Sequence, residues 1–237
     1  MRVAALSDFH IGARGHADGF QHDPSSFARF LDDLERDHDT IVLLGDIWQT
    51  DHATVPTRHA AARHLRAARR RLGRLAQRLS EPPYVYVHGN HDEIALDELG
   101  APEQVVLDRV LFIHGHQFDP VANVAPWAAT AGTWTTGQLR KVGLRPLASW
   151  FEGRDVTIKD QRFRGVDGPY ARAADSLATA HAADVIVMGH THVPSRHVLP
   201  SGVTAVNTGT CSGGHRMFVS IDTATRTVHV FDGKRPL

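Results

Sequence analysis

Five short stretches of the chain carry aspartate, asparagine or histidine side chains after apolar runs or after glycine. Any one of them alone is more often a turn, a cap or a structural histidine, but their recurrence in 237 residues favours a metal site. Carboxylate, amide and imidazole groups without a thiolate suit Mn²⁺, Fe or Zn²⁺. The stretches are Asp8-Phe9-His10, Gly45-Asp46, Gly89-Asn90-His91-Asp92, His114-Gly115-His116 and Gly189-His190-Thr191-His192.

Asp46 follows a run of four apolar residues, 41–44, that predicts a buried strand of a parallel sheet. Open α/β sheets bind ligands beyond the carboxyl ends of their strands, which is where Asp46 would lie. A carboxylate has two oxygens and can bridge two cations about 3.5–4 Å apart. We therefore interpret Asp46 as the residue that two metals share.

The other motifs supply further candidate ligands and one group that faces a substrate. Asp8 and His10 alternate along an extended segment, so both can reach one cation. The amide oxygen of Asn90 is a neutral ligand. His91 can then face the substrate, with Asp92 near enough to fix its tautomer or keep it protonated.

Strands and helices alternate along the sequence, which predicts an α/β fold that holds these motifs at strand ends. An amphipathic helix should begin at Asp23-Pro24, and a long arginine-rich helix should run over Thr57–Leu79. The arginines indicate either a solvated helix face or a path for nucleic acid. The predicted strands cover Arg2–Ser7, 41–44, Tyr84–Val87, Val105–Leu107, Val110–Ile113, Val185–Met188 and several segments between Val193 and Phe231.

The segment from Phe118 to His181 contains no metal-ligand motif but holds three of the four tryptophans, Trp127, Trp134 and Trp150. Helical spacing over Val121–Leu139 and Pro169–His181 predicts a helical, cap-like insert at about 118–181 within one domain spanning 1–237. Its aromatic and basic groups could contact a substrate with an apolar part and a phosphate. The alternative is a subdomain that packs its own tryptophans.

Composition limits the partners and the compartment. The 26 basic and 26 acidic side chains balance, so we expect no obligatory nucleic-acid partner. The single cysteine, Cys211, suits a reducing compartment. The first residues do not resemble a signal peptide, and apolar runs stay well short of the roughly 20 residues that span a bilayer. We expect a cytoplasmic protein.

The order and spacing of the five motifs resemble those of the calcineurin-like metallophosphoesterases. The resemblance implies a four-layer α/β/β/α sandwich with a helical insert and a site for two divalent metals, of which we expect Mn²⁺, with Fe or Zn²⁺ as alternatives. His91 would be the catalytic histidine beside the scissile phosphate, whereas His116 matches a usual metal position less well than His114 and is left as a supporting or structural group. From their place after Asp46, Asp51 and His52 either lie near the metals or are loop groups that orient ligands or meet solvent. Ligands of the first metal would be Asp8, His10, Asp46 and His192, and those of the second Asp46, Asn90, His114 and His190.

The resemblance also implies hydrolysis of a phosphate ester or pyrophosphate by a hydroxide held between the two metals. The helical insert is similar to that of the UDP-2,3-diacylglucosamine pyrophosphohydrolases, although those enzymes have Gly-Asp and an acidic pair where residues 114–119 read His-Gly-His-Gln-Phe-Asp. The expected partner is a small phosphate-containing substrate; a lipid-linked one would bring peripheral contact with a membrane. A phosphodiesterase or phosphatase acting on nucleotides or small esters, a nuclease and a non-catalytic metal-binding scaffold are the alternatives.

Overall fold

Two mixed β-sheets lie face to face, and helices cover the outer face of each. The computed structural model describes residues 1–14, 18–119, 126–163 and 165–237. The first sheet has the order β11-β10-β9-β1-β2-β3 and the second the order β4-β5-β6-β8-β7. The strands are β1 Arg2–Leu6, β2 Thr40–Leu44, β3 Tyr84–Val87, β4 Gln104–Leu107, β5 Val110–Ile113, β6 Val185–Met188, β7 Ser195–Val198, β8 Thr204–Asn207, β9 Met217–Asp222, β10 Thr227–Asp232 and β11 Arg235–Pro236.

Parallel pairing aligns the strands that end in the predicted ligands. In the first sheet β1 pairs with β2 and β2 with β3, all parallel. In the second sheet β5, β6 and β8 pair in parallel in that order. The carboxyl ends of each parallel set therefore meet at one edge of their sheet.

Successive side chains of a strand point to opposite faces of its sheet, and this alternation divides the core into layers. Val3 and Ala5 of β1 face the second sheet and pack with Phe112 and Val187, all fully buried. Their neighbours Ala4 and Leu6 face the opposite way, toward the helices. The same division on the second sheet puts Leu111 and Ile186 against the last long helix. The implied four-layer α/β/β/α sandwich is thus confirmed.

The first helix begins as the sequence predicts, whereas the second is interrupted. Asp23 caps α1 by accepting a 2.8 Å hydrogen bond from the amide of Ser26, and Pro24 occupies the first turn. The single helix predicted over Thr57–Leu79 is wrong, because Gly73 adopts a φ of +52° and separates two helices. The helices are α1 Pro24–Asp37, α2 Arg58–Leu72, α3 Arg74–Arg78, α4 Ala95–Leu99, α5 Pro126–Lys141, α6 Arg145–Phe163 and α7 Pro169–Ala180, with 3₁₀ turns at Thr50–His52 and His116–Phe118.

Helices α5, α6 and α7 lie between β5 and β6 in the sequence. The start of the helix predicted over Val121–Leu139 and the side chain of Trp127 fall outside the described residues, and α6 was not predicted. Helix α5 packs on the 3₁₀ turn at residues 50–52, where the Lys141 amine donates to the carbonyl of His52. Helix α6 exposes Trp150 by 54% and Phe151 by 47%. Within the described part of the chain, every helix is too short or too polar to cross a bilayer.

Candidate metal centre

The predicted ligands all follow the ends of parallel strands, in β1, β2, β3, β5 and β6. Five of the seven have a positive φ, between +52° and +68°. Non-glycine residues in this region cost about 1–3 kcal/mol each, and such strain concentrates at functional sites. After β1, β2 and β6 the left-handed backbone directs these side chains toward a common centre. The five are Asp8, His10, Asp46, His190 and His192.

Two glycines in the motifs are required by close approach. A Cβ on Gly45, whose φ is +81°, would lie 2.5 Å from Nδ1 of His114. A Cβ on Gly89 would lie 2.2 Å from Oδ1 of Asp46. Both positions therefore need glycine for the ligand side chains to pack together.

Asp8, His10 and His192 form one group of potential ligand atoms. The Nε2 atom of His192 lies 3.0 Å from Oδ1 of Asp8 and 3.1 Å from Nε2 of His10. Nε2 of His10 lies 3.7 Å from the same Asp8 oxygen. The other oxygen, Oδ2 of Asp8, accepts a 3.1 Å hydrogen bond from the amide of His190. The three residues agree with the ligand set implied for the first metal.

Asp46 connects this group to the second set of predicted ligands. Its Oδ2 lies 3.2 Å from Nε2 of His114, and ligand atoms of Asp8, Asp46 and His114 lie within 4.8 Å of one another. Oδ1 of Asn90 lies 3.1 Å from Nδ1 of His190. The structure thus brings all seven predicted ligands together.

Two buried atoms test whether cations fit this centre. In the described part of the structure, Oδ1 of Asp8 and Nε2 of His114 are buried without a hydrogen-bond partner. His114 uses its Nδ1 to donate to the carbonyl of Leu44 at 2.8 Å, so an unprotonated Nε2 would place a lone pair against the Asp46 carboxylate. Buried polar atoms are costly without partners. A proton or a cation must therefore lie between Nε2 of His114 and the Asp46 carboxylate. The carboxylate, amide and imidazole groups of the centre fit a divalent metal.

In the metal-free centre, the pKa of each titratable side chain depends on the charges of its neighbours. Burial lowers the pKa of His114, but the Asp46 carboxylate outweighs burial and raises it to about 9. Burial raises the pKa of Asp46, but the neighbouring His114 and His91 outweigh it and hold that pKa well below its usual range. For His10, burial together with His91 and His192 lowers the pKa to about 3. The metal-free centre therefore holds a proton near His114 and keeps Asp46 ionised.

His91 is anchored through its main chain at the edge of the centre. Its amide donates to Oδ1 of Asp46 at 2.8 Å, and its carbonyl accepts from the amide of Thr50 at 3.0 Å. The ring places Nε2 3.8 Å from Oδ2 of Asp46. Its Nδ1 lies 2.9 Å from Nε2 of Gln49 and 3.1 Å from Oδ2 of Asp51.

The predicted role of Asp92 at the His91 ring requires correction. The Asp92 carboxylate is fully buried and accepts hydrogen bonds from several main-chain amides, including Ile47 at 2.7 Å and Gly89 at 2.6 Å. Those amides surround the turn that carries Asp46, whose own amide also donates to Asp92 at 3.2 Å. The carboxylate therefore shapes the turns after β2 and β3, while Gln49 and Asp51 are the groups at Nδ1 of His91.

The sequence profile of the calcineurin-like phosphoesterases matches residues 1–194 of the chain. This chain belongs to that family. UDP-2,3-diacylglucosamine hydrolase of Shewanella baltica (strain OS195) is 22% identical over 228 residues, which cover 88% of this chain and 89% of the relative. The hydrolase of the same name from Shewanella sp. (strain MR-7) is 25% identical over 230 residues, again covering 88% and 89%.

Matches among solved structures have low sequence identity to this chain. Vps29 of Entamoeba histolytica in complex with Zn²⁺ has a TM-score of 0.49 and 16% identity, and the match covers 98% of this chain and 91% of that one. A conserved protein of Streptococcus pneumoniae described as a predicted phosphoesterase has a TM-score of 0.47 and 17% identity, covering 98% and 87%.

The phosphoesterase centre includes polar residues that the sequence left unassigned. Asp119, five positions after His114, places Oδ2 3.1 Å from Nε2 of His190. An acidic residue shortly after a ligand histidine was the available signal. His116 packs against two predicted ligand histidines but belongs to none of the ligand groups among the described residues: its ring is 5.5 Å from that of His114 and 6.4 Å from that of His190, and burial and His114 lower its pKa to about 3. His52 is buried and packs against Gly137 of α5.

Proposed function

We propose that this calcineurin-like phosphoesterase hydrolyses a phosphate ester or pyrophosphate with two divalent cations bound at the described centre. The observation that carries the proposal is the buried cluster of Asp8, Asp46 and His114, whose potential ligand atoms lie within 4.8 Å of one another. Their arrangement leaves a negative, ligand-rich centre that a cation would satisfy. Carboxylate, amide and imidazole ligands without a thiolate suit Mn²⁺, Fe and Zn²⁺ alike, and Mn²⁺ is the metal we propose.

The proposed ligands divide into two sets that share Asp46. Asp8, His10 and His192 would complete the first set, and Asn90, His114 and His190 the second. When bound, two such cations lower the pKa of a water and stabilise charge that develops on the phosphoryl oxygens. Asp92 keeps Asp46 in place through the surrounding amides.

His91 acts on the substrate in this proposal. Its main chain is fixed by Asp46 and Thr50, and its side chain is 16% exposed, so the ring is positioned but accessible. Its Nε2–H group would donate a hydrogen bond to the oxygen that leaves phosphorus and stabilise the charge that develops there. A positioned donor of this kind contributes typically about 10²–10³-fold.

A pyrophosphate joined to a lipid-bearing sugar is the substrate we propose. The named relatives act on UDP-2,3-diacylglucosamine, and their similarity extends over most of this chain. Helix α5 packs against the turn at Thr50–His52, whose Asp51 contacts His91, and α6 presents exposed aromatic side chains that suit an acyl group. Such a substrate would bring the protein into peripheral contact with a membrane.

The test is a side-by-side assay of the Mn²⁺-loaded protein. UDP-2,3-diacylglucosamine, a nucleotide pyrophosphate, a cyclic nucleotide, an aryl phosphodiester and single-stranded DNA are compared under identical conditions, with Asp46→Asn as the control. We expect cleavage of the lipid-linked substrate with the highest kcat/KM. Cleavage confined to the water-soluble nucleotides would overturn the lipid assignment and leave the phosphoesterase chemistry standing. Folded protein that retains only trace metal after loading would overturn the metal-dependent function itself.

A further inference from the structure

Gln49 lies between two histidines of the centre and is 4% exposed. It follows Asp46 by three residues, and its amide donates to the carbonyl of Ile11 at 2.9 Å. A parallel bridge between Ile11 and Trp48 fixes the two chain segments against each other. The backbone of Gln49 is therefore held beside the segment that carries His10.

The side-chain amide of Gln49 contacts both imidazoles on the same ring atom. Its Oε1 lies 2.6 Å from Nδ1 of His10, and its Nε2 lies 2.9 Å from Nδ1 of His91. Both rings consequently direct Nε2 toward the centre. For His10 that atom lies 3.7 Å from Asp8, and for His91 it lies 3.8 Å from Asp46.

The oxygen and the NH₂ group of the Gln49 amide require different tautomers of the two rings. A carbonyl oxygen only accepts, so His10 must carry its proton on Nδ1 and leaves a lone pair on Nε2. An NH₂ group only donates, so a neutral His91 must accept on Nδ1 and keep its proton on Nε2. The first ring is then a metal ligand and the second a hydrogen-bond donor.

We propose that Gln49 is a positioning residue that gives His10 and His91 these opposite roles through one amide. The inference rests on the proposed function and explains a feature that proximity alone leaves open. Ligand atoms of His10, Asp46 and His91 also lie within 4.8 Å of one another, so distance alone would allow His91 to bind metal. The orientation of the amide assigns His91 to the substrate instead.

Asp51 is the competing partner. Its Oδ2 lies 3.1 Å from the same Nδ1 of His91, and a carboxylate accepts only from a protonated nitrogen. If Asp51 controlled the ring, a neutral His91 would have its proton on Nδ1 and a bare Nε2. Gln49 and Asp51 therefore predict different tautomers, which can be distinguished.

The experiment uses Gln49→Glu, with Asp51→Asn as the matched control, in the full-length Zn²⁺-loaded protein. Glutamate keeps an acceptor for His10 but removes the donor to His91. Metal affinity should therefore stay within a few-fold of wild type, whereas Gln49→Leu should lose about 10–100-fold by removing the acceptor as well. Two bound cations disfavour a second proton on the ring, so His91 should move its proton from Nε2 to Nδ1.

Two readouts decide the outcome. Nitrogen-15 NMR of the imidazoles, assigned with His10→Gln and His91→Gln, should show Nε2–H on His91 in wild type and in Asp51→Asn but not in Gln49→Glu. For a substrate with an alkyl leaving group, kcat should fall about tenfold or more in Gln49→Glu, with a smaller loss for a nitrophenyl leaving group. A wild-type His91 protonated on Nδ1, or a Gln49→Glu spectrum identical to wild type, would overturn the proposal. The wild-type spectrum needs no substitution to fold and no substrate to be cleaved, so it decides the tautomer even if the proposed hydrolysis is not found.

Discussion

Nε2 of His114 lies 3.2 Å from Oδ2 of Asp46, and both side chains are almost completely buried. Nδ1 of the same ring is already committed to the carbonyl of Leu44. The space between the two residues must therefore be shared by a proton in the metal-free protein and by a cation in the metal-bound protein. This exchange links metal binding to pH.

We expect metal affinity to rise as pH rises toward about 9, the pKa of His114 in the metal-free protein. Below that pH the ring is protonated, and a metal must displace the proton before Nε2 can bind it. Above it, the dependence on His114 disappears. Isothermal titration calorimetry with Zn²⁺ in buffers of different ionisation enthalpy should show proton release at pH 7. Affinity that is constant between pH 6 and pH 8, with no proton release, would contradict this.

Asp46→Asn should cause the largest loss of metal of any single ligand change. Asp46 is the one residue that the two proposed ligand sets share, and its Oδ2 lies 3.2 Å from Nε2 of His114, so its loss should weaken both sites. An amide also lacks the charge that offsets the cations. Metal content after Mn²⁺ loading, measured by mass spectrometry, should fall below that of His192→Ala. Asp97→Asn, at an exposed position on α4, serves as the control and should keep its metal.

His91→Gln should leave metal content nearly intact and lower kcat. The expected loss is about 10²–10³-fold for a poor leaving group and smaller for an acidic one, because an acidic leaving group needs less stabilisation of the charge that develops on its oxygen. Steady-state rates across a series of aryl and alkyl esters measure the difference. If His91→Gln lost as much metal as His190→Ala, His91 would be a ligand and its proposed role would be wrong.

Asp92→Asn should destabilise the metal-free protein and weaken metal binding together. The new NH₂ group would face main-chain amides that now donate to the carboxylate, such as those of Ile47 and Gly89. A buried donor left without its acceptor costs about 1–3 kcal/mol, so the free energy of unfolding in urea should fall by that order. The turn that carries Asp46 should also loosen. A stable variant with altered kcat alone would restore the catalytic role first predicted for Asp92.

The positions of the candidate ligands were predictable because each is specified locally. In Leu44-Gly45-Asp46 the end of a buried strand is followed directly by a glycine and a polar residue. The parallel pairing of the strands then brings their carboxyl ends, and the polar residues after them, to one edge of the sheet. The role of Asp92 was not predictable in the same way. Its neighbour in sequence is His91, but its hydrogen-bond partners include amides of the turn after β2, more than 40 residues earlier.

The contacts of Gln49 and Asp51 were also not predictable from the sequence, because they are made with a residue distant along the chain. Asp51 was expected either near the metals or in a solvated loop, but the sequence does not indicate that Gln49 or Asp51 contacts His91, about 40 residues later; only the folded turn brings them to its Nδ1. The break at Gly73 was missed for a different reason. The apolar spacing continues across it, from Leu72 to Leu75, so periodicity alone predicts one helix.

Trp150 provides the last prediction, which concerns the helical insert. Its side chain is 54% exposed on α6, with the guanidinium of Arg154 5.1 Å from the ring centre. An aromatic group exposed beside a cation suits a ligand that has both an apolar part and a phosphate. Trp150→Ala should therefore raise KM for the lipid-linked substrate about tenfold while leaving an aryl phosphate unaffected. Because the ring is largely exposed, thermal stability should change little.

Two matched variants separate substrate contact from folding. Leu96→Ala removes an apolar side chain of similar exposure, 48%, from α4, which lies outside the insert. It should leave KM for both substrates unchanged. Trp134→Ala changes α5, which packs against the turn at Thr50–His52. It should therefore lower kcat/KM for both substrates by disturbing the support of the centre. If Trp150→Ala impaired the two substrates equally, or lowered the melting temperature as Trp134→Ala is expected to do, the insert would be a structural element. A loss specific to the lipid-linked substrate would assign α6 to the binding of its apolar part.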